Sequence, residues 1–291
     1  MEITAELVKE LVAEQFPQWK NLDVRPVEKS GHDNRTFHLG EALSVRLPSG
    51  KAYEAQVKKE STWLPYLQKH LDYPISAPLA VGRPSRKYPY FWSVNRWIEG
   101  RTLLEEDSVD REALARDLSA ALKKLQRIDC TEGPQGGQHN FYRGCSPTTY
   151  HADTVAALNS LRDELPVNRL PRIWENSVRP AYQKAAVWVH GDVAPGNILM
   201  KNRRFYGLID FGILGTGDPA CDYAMAWTYF DGKSRSIFLE NLDAGMIARA
   251  RGWALWKALI TYKDSDPDFR SSAEHTITEI LKEAEPVAFM P

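Results

Sequence analysis

Val189-His190-Gly191-Asp192-Val193-Ala194-Pro195-Gly196-Asn197-Ile198-Leu199 sets a polar loop containing Gly and Pro between two apolar flanks. An Asp and an Asn stand five positions apart on it. Thirteen residues after Asn197, the apolar pair Leu208-Ile209 runs into Asp210-Phe211-Gly212. Lys201-Asn202-Arg203-Arg204, between the two apolar runs, has turn chemistry. The runs are therefore expected to pair as a hairpin, which brings Asn197 and Asp210 to the same end. Taken singly, Asp192 and Asn197 fit an Asx-turn and Asp210 a turn cap. Taken together they match what phosphoryl transfer from a nucleotide requires, which is positioning and charge neutralisation more than covalent chemistry. Mg²⁺ prefers hard oxygen ligands, so an Asn carbonyl and an Asp carboxylate suit it. Asp192, standing apart, suits a base that orients a hydroxyl and takes its proton.

Working outward, the N-terminal side reads as β-rich. Apolar spacing predicts a helix over residues 3–16, then short strands over 24–28, 36–39 and 43–47. A helix over 51–71 follows, bent at Pro65, and then strands over 77–82 and 90–98. Glu99-Gly100 breaks this pattern. Beyond it, helices are expected over 111–128, 148–161, 173–184, 220–229, 244–262 and 271–284, with an exposed loop over 133–138. Residues 1–99 and 100–291 are thus read as two units, the first small and β-rich, the second larger and helical.

The composition removes several function classes. A chain of 291 residues that is 43% apolar can build a sizeable core, and a net charge of −1 gives no reason to expect nucleic acid or an anionic membrane as partner. No apolar run approaches the roughly 20 residues of a membrane helix. The first residues lack the basic, apolar and small-residue segments of a signal peptide. Three cysteines without CxxC spacing suggest neither a disulfide framework nor a zinc site, so a cytoplasmic setting is expected. The nine tryptophans read first as core packing.

His190-Gly191-Asp192-x-x-x-x-Asn197, followed by Ile209-Asp210-Phe211-Gly212, resembles the aminoglycoside phosphotransferase family. Gly215-x-Gly217-Asp218-Pro219-Ala220-x-Asp222-Tyr223-Ala224 resembles the same family's next segment. The resemblance implies an α+β, protein-kinase-like bilobal fold, with a small β-rich N-lobe for nucleotide and a larger, mostly helical C-lobe for catalysis and acceptor. It implies ATP and Mg²⁺ as cofactors, Asp192 as base, and Asn197 and Asp210 as metal ligands. His190 is expected to hold the loop by hydrogen bonds. Ser30-Gly31-His32-Asp33-Asn34-Arg35-Thr36-Phe37 corresponds to the loop over the phosphates, with Gly31 and Asn34 as candidate contacts. Its single glycine leaves an ordinary hairpin turn equally open. Arg46 stands where relatives carry Lys; Glu60 is its expected carboxylate partner, with Glu54 as the alternative. Ser93 to Gly100 resembles the hinge, placing the base near Asn95, Trp97 and Ile98.

Asp218 and Asp222 read first as caps of the helix starting near Ala220. Asp222, Trp227 and Asp231 are also candidates for the acceptor side, where the helix bearing Trp253, Trp256 and Tyr262 reads mainly as core. Residues 138–150 are a candidate lid. The resemblance implies a small-molecule hydroxyl as acceptor, first that of an aminoglycoside, alternatively of a macrolide, choline, homoserine or a sugar. A pseudokinase regulator is a third reading; Arg46 is its only support, and the complete Asp192, Asn197 and Asp210 set opposes it. No A-P-E and no long activation segment follow Gly212, which disfavours a protein substrate.

Overall fold

The computed structural model describes residues 2–28, 31, 33–166 and 168–283. Helix α1 (Ala5–Gln15) begins where the Thr4 hydroxyl accepts the Leu7 N–H at 3.3 Å. Strands β1 (Val24–Pro26), β2 (Asn34–Leu39) and β3 (Leu43–Pro48), helix α2 (Lys51–Gln68), and strands β4 (Pro78–Gly82) and β5 (Trp92–Arg96) follow. The strands form an antiparallel sheet in the order β1-β2-β3-β5-β4.

Alternation along the strands gives this sheet two unlike faces. Phe37, Leu39, Val45, Leu47, Trp92 and Val94 join Val8, Leu11 and Val12 of α1 in one apolar core. The intervening residues belong to the other face: Thr36 is opposite Arg46, His38 opposite Ser44, Ser44 opposite Asn95, and Arg46 opposite Ser93. That polar face roofs a cleft.

The rest of the chain is mostly helical. It contains β6 (Arg101–Thr102), α3 (Arg111–Gln126), α4 (His151–Ser160), α5 (Leu170–Val178), β7 (Val187–Val189), β8 (Ile198–Lys201) and β9 (Arg204–Leu208). It ends with β10 (Gly215–Gly217), α6 (Met225–Thr228), α7 (Gly232–Phe238), α8 (Ala244–Thr261) and α9 (Pro267–Glu283). Two small sheets, β6-β8-β9 and β10-β7, carry the floor of the cleft. A second core containing Trp174, Trp188, Trp227, Phe211 and Phe230 lies beneath them, and Leu64 and Leu67 of α2 reach into it. Helix α2 therefore ties roof to floor.

Several boundaries differ from expectation. The helix expected over 173–184 runs from Leu170 to Val178, two residues before Pro180, which cannot supply a helical N–H. The one expected over 220–229 divides into a 3-10 turn, Pro219–Tyr223, and the short α6. Residues Pro147–Tyr150 are likewise a 3-10 turn ahead of α4. Helix α9 starts earlier than expected, at Pro267, and Ala284 lies outside the described residues. Helix α2 continues through Pro65 to Gln68. Among the described residues no helix is long and apolar enough to cross a membrane.

Candidate active site

The β8–β9 hairpin closes through Asn202 and Arg203, both left-handed at φ 53° and 60°, as a two-residue turn matching the strand twist requires. Ile198 pairs with Leu208, and one step further Ile209 N–H donates to Asn197 O at 3.0 Å. Asn197 and Asp210 thus emerge at one mouth. Gly191 has φ +88°, and a Cβ there would lie 2.6 Å from Ile213 O, so the turn before Asp192 accepts only glycine.

The loop is braced from below. Asp222 is fully buried, and its two oxygens accept the N–H groups of His190 and Gly191, each at 2.8 Å. His190 Nδ1 accepts from Asp192 N–H at 3.1 Å, so the ring proton sits on Nε2 and is donated to Ile209 O at 3.0 Å. One imidazole therefore links the Asp192 loop to the strand that delivers Asp210. Further down, Asp218 accepts Ala220 N–H at 3.2 Å and pairs with Arg249 Nε at 2.6 Å. This ion pair, with both side chains 3% exposed, pins the turn that carries Asp222.

Asp192 itself is exposed at the mouth. Asn197 Nδ2 donates to both Asp192 O and Asp192 Oδ2 at 2.9 Å, which turns the amide oxygen away from Asp192. Asp210 has φ 63°, a left-handed conformation that costs a non-glycine residue about 1–2 kcal/mol. Its Oδ1 accepts Arg46 Nη2 at 2.9 Å, and Arg46 Nη1 reaches Glu60 at 3.4 Å. Burial alone raises the Asp210 carboxyl, but the Arg46 guanidinium outweighs it and holds the group below its ordinary range. Glu60 is pushed up by burial despite Arg46. The asparagine oxygen and the Asp210 carboxylate are hard donors suited to Mg²⁺, which is commonly bound through one or two carboxylates plus phosphate oxygens. Among the described residues no cluster of three His, Cys, Asp or Glu offers a denser cage. A cavity of about 650 Å³ lies between this floor and the roof, lined by Arg46, Ser44, Asn95, Asp192, Asn197 and Asp210 among others.

Residues 23–259 match the model of the phosphotransferase enzyme family. The chain belongs to that family. Membership makes it a kinase of small molecules. Comparison with solved structures agrees on the fold. The GDP and kanamycin complex of APH(2")-IIia is 16% identical with TM-score 0.71, covering 96% of this chain and 99% of that one. The gentamicin complex of APH(2")-IIa is 22% identical with TM-score 0.60, covering 97% of each chain. The apo macrolide 2'-phosphotransferase MphH from Brachybacterium faecium is 18% identical with TM-score 0.62, covering 94% and 97%. A search of curated proteins finds no significant match.

In this phosphotransferase Gly31 and Asn34 line the cavity, with Ser30 and His32 outside the described residues. Asn95 is buried on β5, with Nδ2 donating to Ser76 O at 3.0 Å. Trp97 and Ile98 also line the cavity, but Trp97 N–H already donates to Ala42 O at 2.8 Å. The Trp97 ring packs on His38 at 4.1 Å between centroids. Glu54 is not the partner of Arg46; it accepts Phe91 N–H at 3.2 Å.

Of the acceptor-side expectations, those for Asp222 and Trp227 need correction. Asp222 is the fully buried brace just described. Trp227 is fully buried, its Nε1 donating to Glu283 at 2.8 Å. Asp231 caps α7 and pairs with Arg111 at 2.7 Å. None of the three lines the cavity with Asp192. Arg143, from the candidate lid, does reach the loop: its Nε donates to Gly191 O at 2.9 Å, and its guanidinium lies 4.8 Å from the Trp253 ring and 5.2 Å from that of Trp256. The sequence places Arg143 only within the candidate lid, since nothing local to it signals a partner 48 residues away.

Proposed function

We propose that the protein transfers the γ-phosphoryl group of ATP to a hydroxyl of a small molecule. The supporting observation is the floor of the cleft, where Asp192, Asn197 and Asp210 share one mouth. In this reading residues up to 99 hold the nucleotide and those from 100 hold the acceptor. The Ile98 backbone faces the base, and Arg46 steadies the phosphates from its place between Glu60 and Asp210. Asn197 and Asp210 would hold Mg²⁺, which when bound neutralises the charge of the phosphate groups. Asp192 accepts the acceptor's hydroxyl proton as oxygen attacks phosphorus. The ATP is that of the cytoplasm.

Aminoglycosides are the first acceptors to test, since two of the similar structures hold kanamycin and gentamicin. A second reading, a neutral or less cationic alcohol such as a macrolide or sugar, is favoured by two cations near the base. Arg143 is fastened to Gly191, the residue before Asp192. Lys257 on α8 is pulled down by burial and by Arg143, against the attraction of Asp192. A polycation meets both.

The test is ADP release from Mg-ATP across aminoglycosides, macrolides, choline, homoserine and sugars, with Asp192→Ala alongside. Acceptor-dependent turnover lost in the variant supports the proposal. Turnover retained in Asp192→Ala removes Asp192 from the role of base.

A further inference from the structure

The roof of the cleft is more polar than a sheet packed against a helix requires. Ser93 and Asn95 belong to the face of β5 that pairs with Arg46 and Ser44 of β3, opposite the apolar core. Asn95 and Ser93 are each 1% exposed and Ser76 is 8% exposed. The Asn95 amide has one orientation available: Nδ2 donates to Ser76 O at 3.0 Å, and exchanging the two ends would set oxygen against oxygen. Its Oδ1 is then left without a donor, and Ser76 Oγ and Ser93 Oγ also lack partners among the described residues. Buried polar groups are nearly always paired; of nine unpaired buried side-chain atoms among the described residues, those of Ser76 and Asn95 are the two whose residues line the cavity, where a ligand can supply the partner. Ser76 and Asn95 both line the cavity, with Trp97 and Ile98 beside them.

We propose that the part of this face formed by Ser76 and Asn95 reads the 6-position of the purine, with Asn95 Oδ1 accepting from a 6-amino group, so that the enzyme takes adenine nucleotides over 6-oxo purines. The proposal rests on the nucleotide-dependent reading above. Adenine offers a donor at this position and guanine or hypoxanthine an acceptor. A 6-oxo purine sets its oxygen against Asn95 Oδ1, and the amide cannot turn without losing Ser76 O. The hydroxyls of Ser76 and Ser93 rotate to donate or accept, which leaves the choice to Asn95.

The experiment is calorimetric binding of ADP, IDP and GDP to the full chain, which needs no acceptor. ADP and IDP differ in the purine 6-substituent and the protonation of N1 that goes with it. The expected result is ADP bound about tenfold or more tighter than IDP, with GDP resembling IDP. Asn95→Leu should bring the ADP-to-IDP ratio towards one by weakening ADP, and Ser93→Ala, which leaves the Asn95–Ser76 bond intact, should preserve it. Equal or tighter binding of IDP by the unaltered protein overturns the proposal, whether or not the leucine variant folds. A wild-type ratio in folded Asn95→Leu also overturns it. Binding of none of the three nucleotides overturns the nucleotide-dependent reading itself, and this one with it.

Discussion

Across the cleft, the loop around Asp192 and the sheet face opposing it hold their polar groups in different ways. On the floor each braced group has a partner from the protein. Asp222 takes two loop N–H groups, His190 bonds at both nitrogens, and Asp218 is matched by Arg249. On the roof Ser76 Oγ, Ser93 Oγ and Asn95 Oδ1 are buried and unmatched. A buried unpaired group costs about 1–3 kcal/mol, so nothing about folding favours that arrangement. The floor is organised before any ligand arrives, whereas the roof is the half that a ligand completes. Arg46 joins the two, reaching from the polar face of β3 to Asp210.

The contrast makes unequal demands on mutants. The largest effect is expected at Asp192, which is exposed and braces nothing below it. Asp192→Ala should lower turnover about 10²–10⁴-fold with the melting temperature unchanged. A parallel fall in melting temperature would show that chemistry and scaffold are not separable on the floor. Next is Asp222→Ala, which strips the acceptor from two N–H groups at the loop's base. It should cost about 2–4 kcal/mol in denaturant titrations. A loss below about 1 kcal/mol would mean that the loop is held from elsewhere.

A smaller, pH-dependent effect is expected at Lys59 of α2. Burial pulls its amine down from 10.5 to about 8, against the attraction of Glu60. The native state therefore gives up this proton before the unfolded chain does. The penalty of holding the charge is complete below the folded value of about 8 and is relieved as pH rises to 10.5. Lys59→Met should remove that rise in stability, as read from melting curves across the same range. An unchanged slope would assign the pH dependence to other groups. The smallest effect is expected on the roof itself. Ser93→Ala deletes an unpaired hydroxyl and should be neutral or stabilise by up to about 1 kcal/mol. A clear destabilisation would show that the roof, like the floor, is satisfied from within.

How much of this was legible beforehand depended on distance along the chain. The hairpin of β8 and β9, its turn at Asn202 and Arg203, and the approach of Asn197 to Asp210 depend on residues close in sequence, and local pattern was enough to anticipate them. The pairing of Arg46 with Glu60, 14 positions on, followed from the family resemblance, which sets the carboxylate on the helix after the strand. Trp227 was misplaced because burial leaves no local mark. Asp222 looked like a cap, as Asp218 is, and only the packing of its turn beneath β7 made it a brace. The polar face of the roof was written in the alternation of Leu43-Ser44-Val45-Arg46-Leu47 and Trp92-Ser93-Val94-Asn95, yet alternation alone reads equally as a solvated face.

Residue types and their short-range order were thus sufficient for the loop of Asp192, the meeting of Asn197 with Asp210 and a β-rich part followed by a helical one, because turn geometry and strand period act over a few residues. The tertiary structure alone brought Arg46 to Asp210 across 164 positions and turned the polar face of β5 into the wall of a cavity. It also left Asn95 Oδ1 without a donor there, since only a packed interior that excludes water makes an unmatched oxygen meaningful.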